Sequence, residues 1–381
     1  MTQKPKKTKQ KTLTFFIIAG EESGDIHGSR LILAIKKKHS DCRFIGHGGN
    51  KMVEQGLKIL ENINNLSMMG FSEVIKQLPY MKRVMGQTIK IIKEISPSRI
   101  ILIDYPGFNL RLIKRISSLD IPITYFILPQ VWAWKESRIK ILRDFVDQSL
   151  SIFPFEQDWF KHRGVNVRFV GHPFTELDPP KISRDNFFRK HKLLPDKPLL
   201  VLLPGSRQQE IDQHWKIFLI TVQLLRLSTP ELQVVVGKAP SATLSPLPDN
   251  IYVEENTITA LHYGNVALIA SGTATLEAAV INIPMVVCYR MSFFSWFLIK
   301  KLSKVSFASI VNLIGKKEIV PEFLQKKMTP ENLSKALFPL INEQTKRESM
   351  RNDFSQVIKM LGEPGVYDRL AKEILRKHTL C

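Results

Sequence analysis

The residues Ser271-Gly272-Thr273-Ala274-Thr275 stand between an apolar run, Val266–Ala270, and the helix-forming Leu276-Glu277-Ala278-Ala279. The run has the length and apolarity of a buried parallel strand, so the small residues mark a strand-to-helix turn. At a helix start the first backbone N–H groups lack intrahelical partners and the dipole is positive, which suits an anion. Ser271, Gly272 and Thr273 are therefore candidate phosphate-binding residues, and Glu277, about one turn in, can accept hydrogen bonds from a vicinal diol such as a ribose. An ordinary Ser or Thr N-cap, with Glu277 as a first-turn partner of the dipole, is the alternative. A second anion signal, Pro204-Gly205-Ser206-Arg207, follows Leu199–Leu203. Its guanidinium could grip a diphosphate as a charge-assisted fork, or simply be a surface arginine on a tight turn.

Two carboxylate-bearing turns lie in the first half. Leu13–Ala19 runs into Gly20-Glu21-Glu22-Ser23-Gly24-Asp25, and Arg99–Ile103 runs into Asp104-Tyr105-Pro106-Gly107. Asp104 at a strand end suits a general base, and equally a capping or salt-bridged aspartate. The first turn lacks the G-x-G-x-x-G spacing and no Gly-Lys-Ser/Thr follows it, which disfavours a nucleotide oxidoreductase or an NTPase. There is no Asp-x-Asp pair and no His-Glu-x-x-His, so neither a metal nor any other cofactor is expected, and His27 and His172 read as structural. Trp132 and Trp134, in Pro129-Gln130-Val131-Trp132-Ala133-Trp134, suit contact with a sugar or an acyl chain, or semi-buried packing.

The elements that must position these residues alternate along the chain, short apolar runs with longer amphipathic ones, as in parallel sheets with helices on both faces. Strands are expected at Leu13–Ala19, Arg43–Gly46, Arg99–Ile103, Ile123–Leu128, Ser149–Phe153 and Val167–Val170, then at Leu199–Leu203, Leu232–Val236, Val266–Ala270 and Met285–Cys288. Gly171-His172-Pro173 and Asp178-Pro179-Pro180 read as a linker. The expected fold class is α/β: two doubly wound, Rossmann-like domains facing each other across a cleft, with a helical C-terminal segment. The expected bounds are a basic arm over 1–12, domains over 13–178 and 179–365, and a last helix over 366–381. In such sheets ligands bind beyond the carboxyl ends of the strands, where all the candidates above fall.

At 381 residues and 44% hydrophobic content the chain can bury two cores of ordinary size. Its formal net charge of +20 favours anionic partners. Cys42, Cys288 and Cys381 fit a reducing compartment. No apolar run reaches the roughly 18 residues of a membrane span and no signal peptide is apparent, so a cytoplasmic location is expected.

Taken together, these segments resemble the lipid-A-disaccharide synthase family, inverting glycosyltransferases of the two-Rossmann-domain (GT-B) type. The resemblance covers nearly the whole chain after the arm. It rests on Ala19–Asp25, Met69-Gly70-Phe71-Ser72-Glu73-Val74, Ile103–Asn109, Pro129–Trp134, Leu203–Arg207, Ala270–Glu277, Pro284–Arg290 and Asn312-Leu313-Ile314, in that order. Some members of the family carry an acidic residue where Gly107 stands, and no role is given to that position.

The resemblance implies transfer of 2,3-diacylglucosamine from its UDP carrier to 2,3-diacylglucosamine 1-phosphate, forming the β-1,6-linked disaccharide and releasing UDP. The first domain would take the acceptor and the second the UDP-sugar. Asp104 is the candidate base, with Glu21 as a second base or a positioning group; Arg207, Ser271, Gly272 and Thr273 would hold the diphosphate and Glu277 the ribose. Asn312 and Gln325 are further candidates for binding the nucleotide.

A peripheral location on the anionic, cytoplasmic face of the inner membrane is expected from two apolar segments interspersed with cations. One comprises Leu66–Phe71 with Val74, Ile75, Leu78, Tyr80, Met81, Val84 and Met85 among Lys76, Lys82 and Arg83; the other is Phe293–Ile299 followed by Lys300 and Lys301. Packing of both segments into the core or a homodimer interface is the alternative. No nucleic-acid-binding motif accompanies the charge. A sugar-nucleotide epimerase, or another UDP-sugar glycosyltransferase of the same architecture, is the competing function.

Overall fold

The computed structural model of the chain describes residues 12–66, 73–133, 135–238, 242–291 and 306–376. These residues form two compact units, one reaching to Pro173 and resuming at Glu363, the other spanning Phe174–Gly362.

The sheet of the first unit contains β1 (Leu13–Ile18), β2 (Cys42–Gly48), β3 (Leu57–Asn62), β4 (Arg99–Ile103), β5 (Ile123–Phe126), β6 (Gln148–Ser151) and β7 (Val167–Phe169). Their order is β3-β2-β1-β4-β5-β6-β7, with every pairing parallel. The second unit contains β8 (Leu199–Leu203), β9 (Gln233–Gly237), β10 (Tyr252–Glu254), β11 (Val266–Ala270), β12 (Met285–Tyr289) and β13 (Glu322–Leu324). Its order is β10-β9-β8-β11-β12-β13, again all parallel. Each order reverses once, between β1 and β4 and between β8 and β11. At such a point the connections leave in opposite directions and open a crevice beyond the strand ends.

Strands buried on both faces are apolar except where a polar group has a partner, and β4, β8 and β11 are buried along their whole length, Arg99 at the start of β4 donating to Thr124. Three strands escape the sequence reading, β3 (LKILEN), β10 (YVE) and β13 (EFL). All three lie at sheet edges and are mostly half-exposed, so they carry no continuous apolar run.

The unit boundary also differs from the sequence reading, falling after Pro173 rather than after 178. The last helix, Val366–Arg376, is part of the first unit and packs on the helix Glu22–Lys38. Its apolar face, Val366, Leu370, Ala371 and Ile374, is buried there. The His27 Nδ1–Tyr367 hydroxyl bond (2.7 Å), the Arg369 Nε bond to the Val170 carbonyl (2.9 Å) and the Arg168–Glu373 ion pair (2.7 Å) tie it down. An amphipathic pattern says that such a helix needs a partner surface, not which one.

Of the first apolar segment, Leu66, Val84 and Met85 belong to the core of the first unit, whereas Leu78 is 44% exposed and Lys82 and Arg83 face solvent. Residues 67–72 and 293–301, the side chains of 73–77, Trp134, Cys381 and the lysines of the arm lie outside the described residues. Among the described residues no helix is long and apolar enough to cross a membrane.

Candidate functional site

In the first unit the strand-order reversal brings the ends of β1 and β4 side by side, Ile18 opposite Leu102. Glu21 is the N-cap residue of the helix Glu22–Lys38, exposed and without a side-chain capping bond. Asp104 and Tyr105 both adopt left-handed backbone, φ 46° and 50°, which costs of order 1 kcal/mol or more per non-glycine residue. The surroundings hold that turn. The Asp104 N–H donates to the Phe126 carbonyl (3.0 Å), and the Asp104 carbonyl accepts from Asn109 Nδ2 and the Tyr125 hydroxyl (2.7 Å each). Gly20 is required by the same turn, because a Cβ there would stand 2.2 Å from Cγ of the Tyr105 ring.

Burial, and next the Glu21 charge, push the Asp104 carboxyl up to about 6, partly opposed by a backbone hydrogen bond from Tyr105. A carboxylate with that affinity is ionised at neutral pH yet basic enough to take a proton. The neighbouring Asp25 instead braces the backbone. Its carboxylate accepts from the N–H groups of Gly49 (2.8 Å), Met52 (3.0 Å) and Lys51 (3.1 Å) at the helix Asn50–Glu54. His27 is half-buried and His172 buried, with desolvation lowering them to about 4 and about 3, so both are neutral. Trp132 is also buried, edge-on to Phe155 at 5.0 Å.

In the second unit the reversal places the ends of β8 and β11 together, Leu203 opposite Ile269. Arg207 is the N-cap residue of the helix Gln208–Ser228, its side chain 71% exposed and 3.5 Å from Glu210. Glu210, which sequence reasoning missed, organises this turn. Its carboxylate accepts from the N–H groups of Ser206 (3.1 Å) and Arg207 (3.4 Å) and from the Tyr289 hydroxyl (3.1 Å). The available signal was a glutamate three residues after the N-cap. His214, also missed, lies one turn further on, with Nδ1 against the Pro204 carbonyl (2.7 Å) and Nε2 accepting from the Arg290 N–H (3.0 Å). The loops after β8 and β12 are thereby joined.

Beside that turn, Gly272 precedes the helix Thr273–Ile281 in extended backbone, and nothing stands within 4 Å of where its Cβ would be. The Ser271 N–H donates to the Cys288 carbonyl (2.8 Å) and its hydroxyl to the Ala308 carbonyl (3.0 Å). Glu277 is half-buried, and burial pushes it up to about 7. Diol hydroxyls could donate to it and offset that cost.

Two of the expected binding residues prove otherwise occupied. Asn312 is fully buried. Its Oδ1 accepts from the Ile319 (2.8 Å) and Val320 (3.0 Å) N–H groups, and its Nδ2 donates to the Val320 carbonyl (2.9 Å) and Glu322 (2.8 Å). That uses the capacity of a side-chain amide, so Asn312 braces the fold rather than offering donors to a nucleotide. Glu322 in turn accepts from the Ala308 and Ser309 N–H groups (2.8 Å each), the segment on which Ser271 leans. With its amide oxygen and nitrogen assigned so that both find partners, Gln325 pairs with both backbone groups of Met291 (3.2 Å each). Among the described residues no group of three His, Cys, Asp or Glu side chains could hold a metal ion.

Comparisons with known proteins agree with this layout. Among solved structures, a UDP-N-acetylglucosamine 2-epimerase superposes with a TM-score of 0.65 at 11% identity (97% of this chain, 98% of that one). The calicheamicin glycosyltransferase CalG4 superposes at 0.58 and 16% identity (97% and 99%). At such identities the likeness speaks for the fold alone, two Rossmann-like α/β domains. The sequence is more discriminating. The lipid-A-disaccharide synthase of Myxococcus xanthus is 34% identical over 94% of this chain and 96% of its own length. That of Coxiella burnetii (strain CbuG_Q212) is 32% identical over the same shares. The family model described as lipid-A-disaccharide synthetase matches residues 15–376, a span that includes every strand end described above except the first residues of β1. A match of that length, with the carboxylates after β1 and β4 and the anion turns after β8 and β11 all inside it, places this chain in the lipid-A-disaccharide synthetase family of glycosyltransferases.

Proposed function

We propose that the protein transfers 2,3-diacylglucosamine from UDP-2,3-diacylglucosamine to the 6-hydroxyl of 2,3-diacylglucosamine 1-phosphate, in one inverting displacement that releases UDP. The observation that carries this reading is Asp104, held half-buried in a strained turn and raised to about 6 beside Glu21. Asp104 takes the proton of the attacking hydroxyl as its oxygen bonds to the anomeric carbon and the bond from that carbon to the diphosphate oxygen breaks. Glu21 positions the acceptor. The negative charge that develops on the departing diphosphate is met by Arg207 and by the N–H groups at the start of the helix Thr273–Ile281, while Glu277 accepts from the ribose hydroxyls. The substrates carry acyl chains, and the enzyme meets them at the anionic cytoplasmic face of the inner membrane.

Incubation of the purified protein with the two diacylated sugars tests the reading. Equimolar UDP and a β-1,6-linked disaccharide are expected. Release of free sugar, or interconversion of a UDP-sugar with its epimer, would refute it. Since the diphosphate charge is met by protein groups, activity should survive dialysis against a chelator; loss restored by magnesium would contradict that part of the mechanism.

A further inference from the structure

Among the described residues the transfer reaction leaves three buried carboxyls unused; Asp25 braces backbone N–H groups and Glu254 pairs with Lys190 and His191, whereas Glu156 holds a tryptophan. Glu156 lies in the first turn of the helix Pro154–Lys161, which follows β6, and is 1% exposed. Its Oε1 accepts the indole N–H of Trp132 at 2.9 Å. Trp132 belongs to the loop after β5, and its ring is fixed edge-on against Phe155 (5.0 Å) and Phe153 (6.4 Å), which stack on each other at 5.8 Å. The loop leaves β5 through Ile127, a β-branched residue at φ 60°, and Lys135, past its far end, is left-handed too, at φ 56°. Such backbone persists only where its surroundings over-determine it. The Asp104 N–H is bonded to the carbonyl of Phe126, the last residue of β5, so this loop begins one hydrogen bond from the candidate base.

We propose that Glu156 is a positioning residue of the transfer reaction: by accepting the Trp132 indole N–H, it fixes the loop after β5 beside Asp104. The proposal rests on the function read above. Burial pushes the Glu156 carboxyl up to about 8, against the pull of the Trp132 bond, so at neutral pH it is mainly the uncharged acid. Glutamine is then its close mimic, keeping both the acceptor and the neutrality. Leucine keeps neither the acceptor nor the bond.

The test compares Glu156→Leu, Glu156→Gln and Trp132→Phe with wild type in the full-length protein, each with its thermal midpoint. Glu156→Leu and Trp132→Phe should lower kcat by about 10- to 100-fold, the scale of a small misplacement near the reacting groups, and leave KM for the UDP-sugar within about twofold. Glu156→Gln should recover kcat to within about threefold of wild type. Exchange of the Trp132 indole proton, followed by NMR, should be slow in wild type and Glu156→Gln and fast in Glu156→Leu. A folded Glu156→Leu with wild-type kcat would overturn the proposal, and so would a Glu156→Gln as impaired as Glu156→Leu. If wild type transfers no sugar, the reading of function fails instead. The indole exchange then still decides whether Glu156 holds Trp132, and slow exchange in Glu156→Leu would overturn it.

Discussion

At the residue scale, the chemistry turns on how the fold treats a few charges. Asp104→Asn preserves shape and removes the proton acceptor, so kcat should fall by on the order of 10²–10⁴ while the UDP-sugar still binds. If Glu21→Gln proves crippling and Asp104→Asn mild, the two roles are exchanged. The raised affinity of Asp104 for protons, about 6, gives the pH dependence a definite sign. With Asp104 as the base the active form is the carboxylate, so kcat/KM should fall about tenfold per pH unit below 6 and level off above 7. The same shift acts on stability. The folded protein holds this proton more tightly than the unfolded chain, so the contribution of Asp104 to stability is present below the ordinary carboxylate range and is lost as pH rises through 6. Asp104→Asn should therefore raise the thermal midpoint relative to wild type at pH 7 and change it little at pH 4. Arg207 differs, being exposed and bonded to Glu210 only at 3.5 Å, so it is free to turn toward a diphosphate. Arg207→Ala should cost ~1.5–3 kcal/mol of binding and more in the transition state, nearly abolishing turnover with little change in stability. Wild-type kcat/KM in that variant would remove Arg207 from the site.

At the element scale, the turns after the strands are set by bonds from elsewhere. The Asn312 knot joins the helix Ile310–Gly315 to the segment that enters β13 and, through Glu322, supports the backbone under Ser271. Asn312→Ala strands several buried backbone groups and should cost on the order of 3 kcal/mol of stability. Denaturant unfolding should show that loss, whereas a variant as stable as wild type with a raised KM would return Asn312 to the ligand. The same scale explains which elements were legible. Arg99–Ile103, Leu199–Leu203 and Val266–Ala270 are central strands buried on both faces, and periodicity alone finds them. The edge strands β3, β10 and β13 alternate with polar residues and resemble loops.

For the whole molecule, the open question is how an enzyme with no membrane-spanning helix among its described residues would reach the acylated substrates proposed for it. Phe294 and Trp296 lie outside those residues, so the expectation comes from sequence alone. Phe294→Ser with Trp296→Ser should weaken flotation with anionic vesicles and leave folding intact, and raised salt should release the wild type, each basic group near the surface contributing ~1 kcal/mol. Equal partitioning of mutant and wild type would assign these side chains to packing.

The sequence by itself determined the fold class and the family, because buried parallel strands are apolar except where a polar group has a partner and because the turns that follow them carry residues of restricted type. It also put Glu21, Asp104, Arg207 and Glu277 just after strands. Only the tertiary structure decided what adjoins what. The strand orders bring β1 to β4 and β8 to β11 over long stretches of chain, and the last helix packs on the first unit. Asn312 and Glu156 show the limit most plainly. Asparagine after a predicted strand reads as a ligand until its partners, seven to ten residues on, are seen to use every donor and acceptor. Glu156 carries no signal of its own in the sequence; only the fold buries it against Trp132, because burial and electrostatics depend on neighbours distant in sequence.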